Sequence, residues 1–294
     1  MLKMRVITSL VTLLFYLIFL ILYLQDKINE FIFAGSLLLG LLGLFITFIL
    51  RRKNKSASRT IAISTLILSL LFFYELPLTL YYISPSHLVY SYKEPTEALK
   101  GSGIFLLGVN ELAITDGTSK KEIEKLLTKQ QVDVLSVIEV SNKIIYGSKN
   151  RQLLKWLHLQ TDPLQQMEGI VTRYLGREDQ WLTSFFKQPD IAGDSAGLSL
   201  ALSGRLKQSD FRNHLKFAVT GAINKNGDVL PVRNIYEKMQ ITKKANIPYM
   251  IVPDKNAKEA AAVQNKLQTN FEIFYVSTVE EAVQVIQKLN EKNK

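Results

Sequence analysis

Three apolar blocks near the amino terminus constrain this chain more than any other feature: Val6 to Leu24, Phe31 to Leu50 and Ile61 to Ile83. Each is close to the ~20 residues that cross a hydrocarbon core as a helix. The reading is three transmembrane helices within residues 1–84 (about 6–24, 31–50 and 61–83). A cleaved signal peptide is the alternative for the first block. That block is longer than a usual apolar signal core, however, and no small-x-small cleavage site follows Leu24. A retained anchor is the expectation.

Charge orients the spans. The segment RRKNKSASR (Arg51 to Arg59) carries five basic residues and no acidic one, whereas QDKINE (Gln25 to Glu30) carries one basic and two acidic. Basic loops stay on the cytoplasmic side, so Lys3 and Arg5 are expected inside and everything after the third span outside. The formal net charge is +10. The chain has no basic stripe interleaved with aromatics of the kind that binds nucleic acid, so nucleic acid is not an expected partner. With no cysteine, a packed core rather than disulfides must hold the outer part, and roughly 200 residues suffice for one. Glu75 stands inside the third block, two positions before Pro77. A carboxylate in a span is a functional-site candidate; the plainer reading is a protonated side chain beside a kink, against a neighbouring span or near the interface.

Residues 85–100 (within SPSHLVYSYKEPTEALK) suit a short exit linker. From Ile104 the pattern alternates: IFLLGV as a strand, KKEIEKLLTKQ as an amphipathic helix, VDVLSVIEV as a strand, RQLLKWLHL as a helix. Residues 164–187 read as one or two helices with Ile170, Val171, Leu175, Trp181, Leu182, Phe185 and Phe186 inward. KFAVTGAI reads as one strand, NKNGD as a tight turn and VLPV as the returning strand of a hairpin. A helix over Asn234 to Ala245, the strand YMIVP, a helix over Lys255 to Leu267, the strand FEIFYV and a closing helix from Thr278 to Leu289 follow, with Thr278 and Glu281 spaced as a capping box. Strands and helices in alternation make an α/β or α+β layered domain.

One stretch asks for chemistry: DIAGDSAGLSLALS, Asp190 to Ser203. A serine ahead of an apolar helix has an ordinary use as the helix cap. Yet Ala196 and Gly197 let a substrate approach Ser195, Gly193 frees the preceding turn, and a helix amino terminus can hold an oxyanion. A nucleophile needs a base. The three histidines, His87 in the linker, His158 on the apolar face of a short helix and His214 in a polar loop, each read more simply as structural or solvated. A lysine serves if burial lowers its pKa. Lys238 lies among Ile235, Met239 and Ile241 on the helix after the hairpin, although by spacing alone it is an ordinary helix lysine.

GDSAGLSLAL, then FAVTGAINKNGDVLPVRNIYEKMQ and IPYMIVPDKNAKEA, resemble the proteolytic domain of the Lon family of serine peptidases. The likeness covers Asp190 to Leu289 and is greatest to the membrane-anchored bacterial branch that lacks the ATPase. It implies an α+β Lon-type peptidase domain over residues 101–294, its motif-bearing part at 190–290, behind three membrane helices. It implies Ser195 as nucleophile and Lys238 as general base, with Thr220 holding the lysine and Asp194, Gly193 and Gly197 supporting the nucleophile. Arg233 and Asn234 stand where the family often has a glycine pair, and Ala222 where it often has an acidic residue. These departures bear on substrate preference. No G-x-x-x-x-G-K-[ST] occurs, so no ATPase module is expected, and Gly101 to Gln188 leaves no room for a PDZ domain beside the front half of the peptidase.

The function so implied is an ATP-independent, membrane-anchored serine endopeptidase on the extracytoplasmic side of the cell membrane, acting on a flexible or unfolded polypeptide. Membrane lipid is a second partner, and a homo-oligomer is compatible with it. No cofactor and no metal are expected, since the chain has no H-E-x-x-H. The rivals are a non-catalytic membrane scaffold or binding protein with a Lon-like domain, and a small transporter built around Glu75.

Overall fold

The computed structural model describes residues 2–80, 86–115, 119–157, 159, 162–188, 193–208 and 211–293. Helices α1 (Leu2–Leu24), α2 (Glu30–Arg51), α3 (Lys55–Glu75) and the short α4 (Pro77–Leu80) come first. Strands β1 (His87–Ser91), β2 (Thr96–Glu97), β3 (Ile104–Leu106) and β4 (Asn110–Ile114) follow, then α5 (Lys120–Lys129) and β5 (Val134–Glu139). Four helices come next: α6 (Asn142–Trp156), α7 (Pro163–Leu175), α8 (Gln180–Phe186) and α9 (Gly197–Lys207). The chain continues through β6 (Phe217–Val219), β7 (Ala222–Ile223), β8 (Val229–Leu230), α10 (Ile235–Lys244) and β9 (Tyr249–Pro253). It closes with α11 (Ala257–Leu267), β10 (Glu272–Val276) and α12 (Val279–Lys292).

Two compact units emerge, one of residues 1–88, 113–117 and 138–160, the other of residues 89–112, 118–137 and 161–294. Strands β1, β4 and β5 form a three-stranded sheet of order β4-β1-β5. Two expectations change here. The supposed linker holds β1 and β2, because Leu88, Val89, Tyr90 and Tyr92 give it the β-branched and aromatic content of a strand despite its prolines. And residues 138–160, expected with the peptidase, cluster with the first four helices.

In the first unit, asparagines set where two apolar helices start: Asn29 Oδ1 accepts the Ile32 N–H ahead of α2, and Asn54 Oδ1 the Ala57 N–H ahead of α3. The third apolar helix therefore begins at Lys55, before Ile61. It ends at Glu75 because Pro77 has no N–H to continue the ladder; residues 81–83 lie outside the described residues. Glu30–Arg51 and Lys55–Thr79 are long and apolar enough to cross a membrane, and Thr8–Leu24 is a shorter apolar helix. The three expected spans thus appear as two long apolar helices and one shorter. Tyr16, Tyr23, Phe33, Leu37, Leu68 and Leu78 form their shared core, with Ile145 and Tyr146 of α6 packed on it.

The second unit is built on a five-stranded sheet of order β10-β9-β6-β3-β2. The first four strands are parallel, and β2 pairs antiparallel with β3. Phe217, Ala218 and Val219 of β6 and Met250, Ile251 and Val252 of β9 are fully buried, the near-continuous apolar runs of strands covered on both faces. Helix α9 is buried along Leu198, Leu200, Ala201 and Leu202, as a helix inside a core must be. Asn224 Oδ1 accepts the N–H groups of Asn226 and Asp228 and closes the turn that pairs β7 with β8, so the expected hairpin is present. The closing helix has half its capping box: Thr278 Oγ1 accepts the Glu281 N–H, but Glu281 Oε2 accepts from Ser277.

Candidate active site

The strand expected over Lys216 to Ile223 is broken, and the break builds the site. Thr220 still donates its N–H to Ile251 O at 3.1 Å, in line with the sheet, but the next amide, Gly221, turns away and donates to Ser195 O at 3.0 Å. Gly221 O in turn accepts the Leu198 N–H at 2.8 Å. The serine segment and the break are thus stitched together by two backbone bonds, one of which satisfies the Leu198 amide in the first turn of α9. Gly197 makes the approach possible: a Cβ there would lie 2.5 Å from Met167 Sδ and 3.1 Å from the Ile223 nitrogen. Gly193 holds φ at +87°, a left-handed value that suits glycine.

Ser195 does not serve as the helix cap. The cap position is Ala196, which has no side-chain acceptor, and the amides of Gly197 and Leu198 are taken by Asp194 O and Gly221 O. The side chain of Ser195 is half-buried, and its hydroxyl has no hydrogen-bond partner among the described residues. Asp190, the first residue of its motif, lies outside the described residues, as does His158.

Lys238 comes from the other side of the break. Asn234 precedes α10 with φ +62° and ψ +37° and accepts the Lys238 N–H with its carbonyl at 3.0 Å. Asparagine is among the few non-glycine residues at ease there. Asn256, a residue the sequence did not flag, fixes the approach to this turn: its Oδ1 accepts the Val232 N–H at 2.9 Å and its Nδ2 donates to Val232 O at 3.0 Å. Lys238 is 4% exposed, and its Nζ donates to Thr220 Oγ1 at 2.8 Å. Burial pushes the amine down to about 8; the Asp194 carboxylate opposes the shift, the Arg233 guanidinium adds to it and the Glu237 carboxylate opposes it. Glu237 itself accepts a hydrogen bond from Ser136 Oγ at 2.5 Å, a tether from α10 to β5 that no motif announced.

The site so far joins Thr220 to Lys238 by a side-chain bond, and Ser195 to Gly221 by the backbone. Among the described residues no hydrogen bond links Ser195 Oγ to Lys238 Nζ. Nor does one link His87 or His214 to Ser195: His87 Nδ1 lies 3.0 Å from Ser86 Oγ, and the His214 N–H donates to Asn290 Oδ1.

Glu75, the other residue singled out, is neither alone nor beside a neighbouring span only. In the first unit it is 1% exposed and ion-paired with Lys149 of α6, also 1% exposed. Tyr16 and Tyr146 donate their hydroxyls to Glu75 Oε1 at 2.7 and 3.0 Å. The Lys149 ammonium lies 4.1 Å from the centre of the Tyr74 ring and 4.3 Å from that of Tyr146, within cation–π range.

Residues 189–288 match the model of the Lon protease (S16) C-terminal proteolytic domain. Among individual proteins, the Lon protease of Fervidobacterium nodosum is 36% identical over 103 residues, 34% of this chain and 12% of that protein. The Lon protease of Lachnoclostridium phytofermentans is 26% identical over 122 residues, 38% of this chain and 15% of that protein. The archaeal Lon protease of Thermococcus kodakarensis is 24% identical over 197 residues, 66% of this chain and 29% of that protein. The last match is longer than the segment 189–288, so likeness to Lon proteases extends beyond it. The chain spans under a third of the length of each of these relatives.

Proposed function

We propose that this protein is a serine endopeptidase in which Lys238 is the general base for Ser195, anchored in a membrane by its amino-terminal helices and acting without a nucleotide. One observation carries the reading: a lysine buried without a bonded carboxylate, its pKa near 8, has its amine held by Thr220, and the next residue, Gly221, grips the serine backbone through its amide. The neutral amine accepts the Ser195 proton as Oγ attacks a peptide carbonyl carbon, and the oxyanion is met by backbone N–H groups of Asp194 and Ser195, since those of Gly197 and Leu198 are already used. The C–N bond then breaks as the lysine returns the proton to the leaving amine. Water, deprotonated by the same amine, hydrolyses the ester and frees the serine.

The basic stretch Arg51 to Arg59 around the connection of α2 and α3 supports a cytoplasmic side there and a peptidase domain outside, with the apolar part of α1, Thr8–Leu24, as a third span. Substrates are then flexible segments of secreted or membrane proteins. The test uses the whole chain in a lipid mimic, because α6 clusters with the amino-terminal helices. An unfolded fluorogenic protein is offered without ATP to the parent, Ser195→Ala and Lys238→Ala. The parent should cleave, and each variant should lose roughly 10⁴-fold or more. Turnover by Lys238→Ala near that of the parent would sink the dyad, and a folded but inactive parent would favour a binding domain.

A further inference from the structure

Within the first unit, α6 lies across one end of the helix bundle. At its start, Asn142 donates its Nδ2 to Tyr23 O and Ile28 O at 2.8 and 2.9 Å, and its N–H to Asp26 Oδ1 at 2.7 Å. One turn further, Ile145 and Tyr146 join the bundle core. Two turns along, Lys149 pairs with Glu75, and Asn150 Oδ1 accepts the Tyr74 hydroxyl at 2.9 Å. The connection between α1 and α2 and the end of α3 sit at the same end of an up-down-up bundle, and α6 spans from one to the other.

The bundle-facing stripe does not stop there. Asn142, Ile145, Tyr146, Lys149, Leu153 and Trp156 follow one another at three- and four-residue spacing, so they share one face of the helix. Past Glu75 the bundle no longer covers that face: Trp156 is 76% exposed, Leu157 beside it 52%. Arg151 and Lys155 lie on the opposite face, and residues 140–160 contain no acidic side chain.

We infer that the carboxy-terminal half of α6 is an interfacial helix whose partner is the lipid surface: Trp156, with Leu153 and Leu157, enters the headgroup layer beside the bundle. The stripe that points into the bundle end at Lys149 points, one and two turns later, at the lipid surrounding that end. An apolar stripe with tryptophan at its tip and cations on its back matches an in-plane membrane helix. The buried Glu75–Lys149 pair sets the depth, because α6 cannot rise from the bundle without separating two desolvated charges. This inference rests on the amino-terminal helices being membrane spans, and the experiment separates the two.

The chain has two tryptophans and no cysteine, which makes depth measurable. Trp181→Phe leaves Trp156 as the sole emitter. The full chain is reconstituted in phosphatidylcholine–phosphatidylglycerol vesicles carrying quenchers either near the headgroup or deep in the acyl chains. Trp156 emission should shift to shorter wavelength than in the unfolded chain and be lost mainly to the shallow quencher. A reference protein, Trp156→Phe with Trp181→Phe and Leu39→Trp, reports the middle of α2, where Leu39 is exposed, and should be lost mainly to the deep quencher. Deep loss for Leu39→Trp with no loss, or with deep loss, for Trp156 would overturn the interfacial helix and leave the spans standing. No loss for Leu39→Trp would overturn the spans and the inference together. Should Trp181→Phe fail to fold, a spin label on Leu157→Cys in the otherwise cysteine-free chain reads the same depth.

Discussion

Lys149 and Lys238 are both buried, at 1% and 4% exposure, and their surroundings put the same side chain to opposite uses. Lys149 has a carboxylate, a backbone carbonyl and two aromatic rings around its ammonium. Burial lowers the pKa of this amine as well, but Glu75 opposes the shift, and the group becomes half of a structural ion pair. Lys238 has a threonine hydroxyl, with apolar Ile235, Met239 and Ile241 and the carboxylate of Glu237, not bonded to it, beside it along α10. Nothing bonded to it compensates the charge, so its pKa falls to about 8, where a lysine can take a proton from a serine. Burial alone does not make a base; burial without a bonded counter-ion does.

Removing one partner should break the comparison most sharply at Lys149. Lys149→Ala leaves Glu75 buried and unpaired, a loss of about 3–5 kcal/mol, read as a lower melting temperature and faster tryptic cleavage after Arg151 and Lys155. The double variant Glu75→Gln with Lys149→Met, which removes both charges, should melt close to the parent. An unperturbed Lys149→Ala would mean that the pair is not structural.

A somewhat smaller effect, of opposite sign, is expected at Lys238. Its folded pKa lies below the 10.5 of an ordinary lysine, so the unfolded chain binds the extra proton and stability rises with pH between about 8 and 10.5. Below that window the buried amine must be charged in the fold, at a cost on the order of 3 kcal/mol. Lys238→Met, inactive by design, should therefore be more stable than the parent at pH 7 and should lose the pH dependence of its denaturation midpoint. A variant less stable than the parent at pH 7 would show that the lysine is retained for packing instead.

The smallest effect concerns the exposed Arg233. Cleavage by the parent should rise with pH as Lys238 loses its proton near 8. Arg233→Ala removes a positive charge that helps hold that value down, so the rising limb of the pH–rate profile should move to higher pH by less than one unit, and less still in high salt. An unmoved limb at low salt would remove Arg233 from the tuning of the base.

Much of the second unit was legible. Tyr249 to Pro253 and Glu272 to Val276 are apolar runs of strand length between helical patterns, and both are strands of the parallel sheet. The hairpin announced itself through NKNGD, and Lys238 through the motif around it. What stayed hidden shares one physical character. The strand break after Thr220 comes from the backbone bond of Gly221 to Ser195, 26 residues earlier in sequence, and has no local signal. Asn256 and Ser136 look like ordinary polar residues until Val232 and Glu237 are seen to bond them. The helix read over Arg151 to Leu159 begins at Asn142 instead and belongs with the first four helices. Its partners Asp26, Tyr23 and Glu75 are far away in the chain.

By itself, the sequence determined the apolar lengths, the charge asymmetry of the loops, the alternation of strand and helix, and the presence of a serine and a lysine in Lon-like surroundings, because each is written in neighbouring residues. Only the tertiary structure decided what the buried charges are for. Whether Glu75 is an unpaired carboxylate in a span or half of an ion pair, and whether a helical lysine is an ordinary cation or a base, depends on which distant groups share its desolvated space. The energy of a buried charge is set by those few neighbours and not by the residues beside it in the chain.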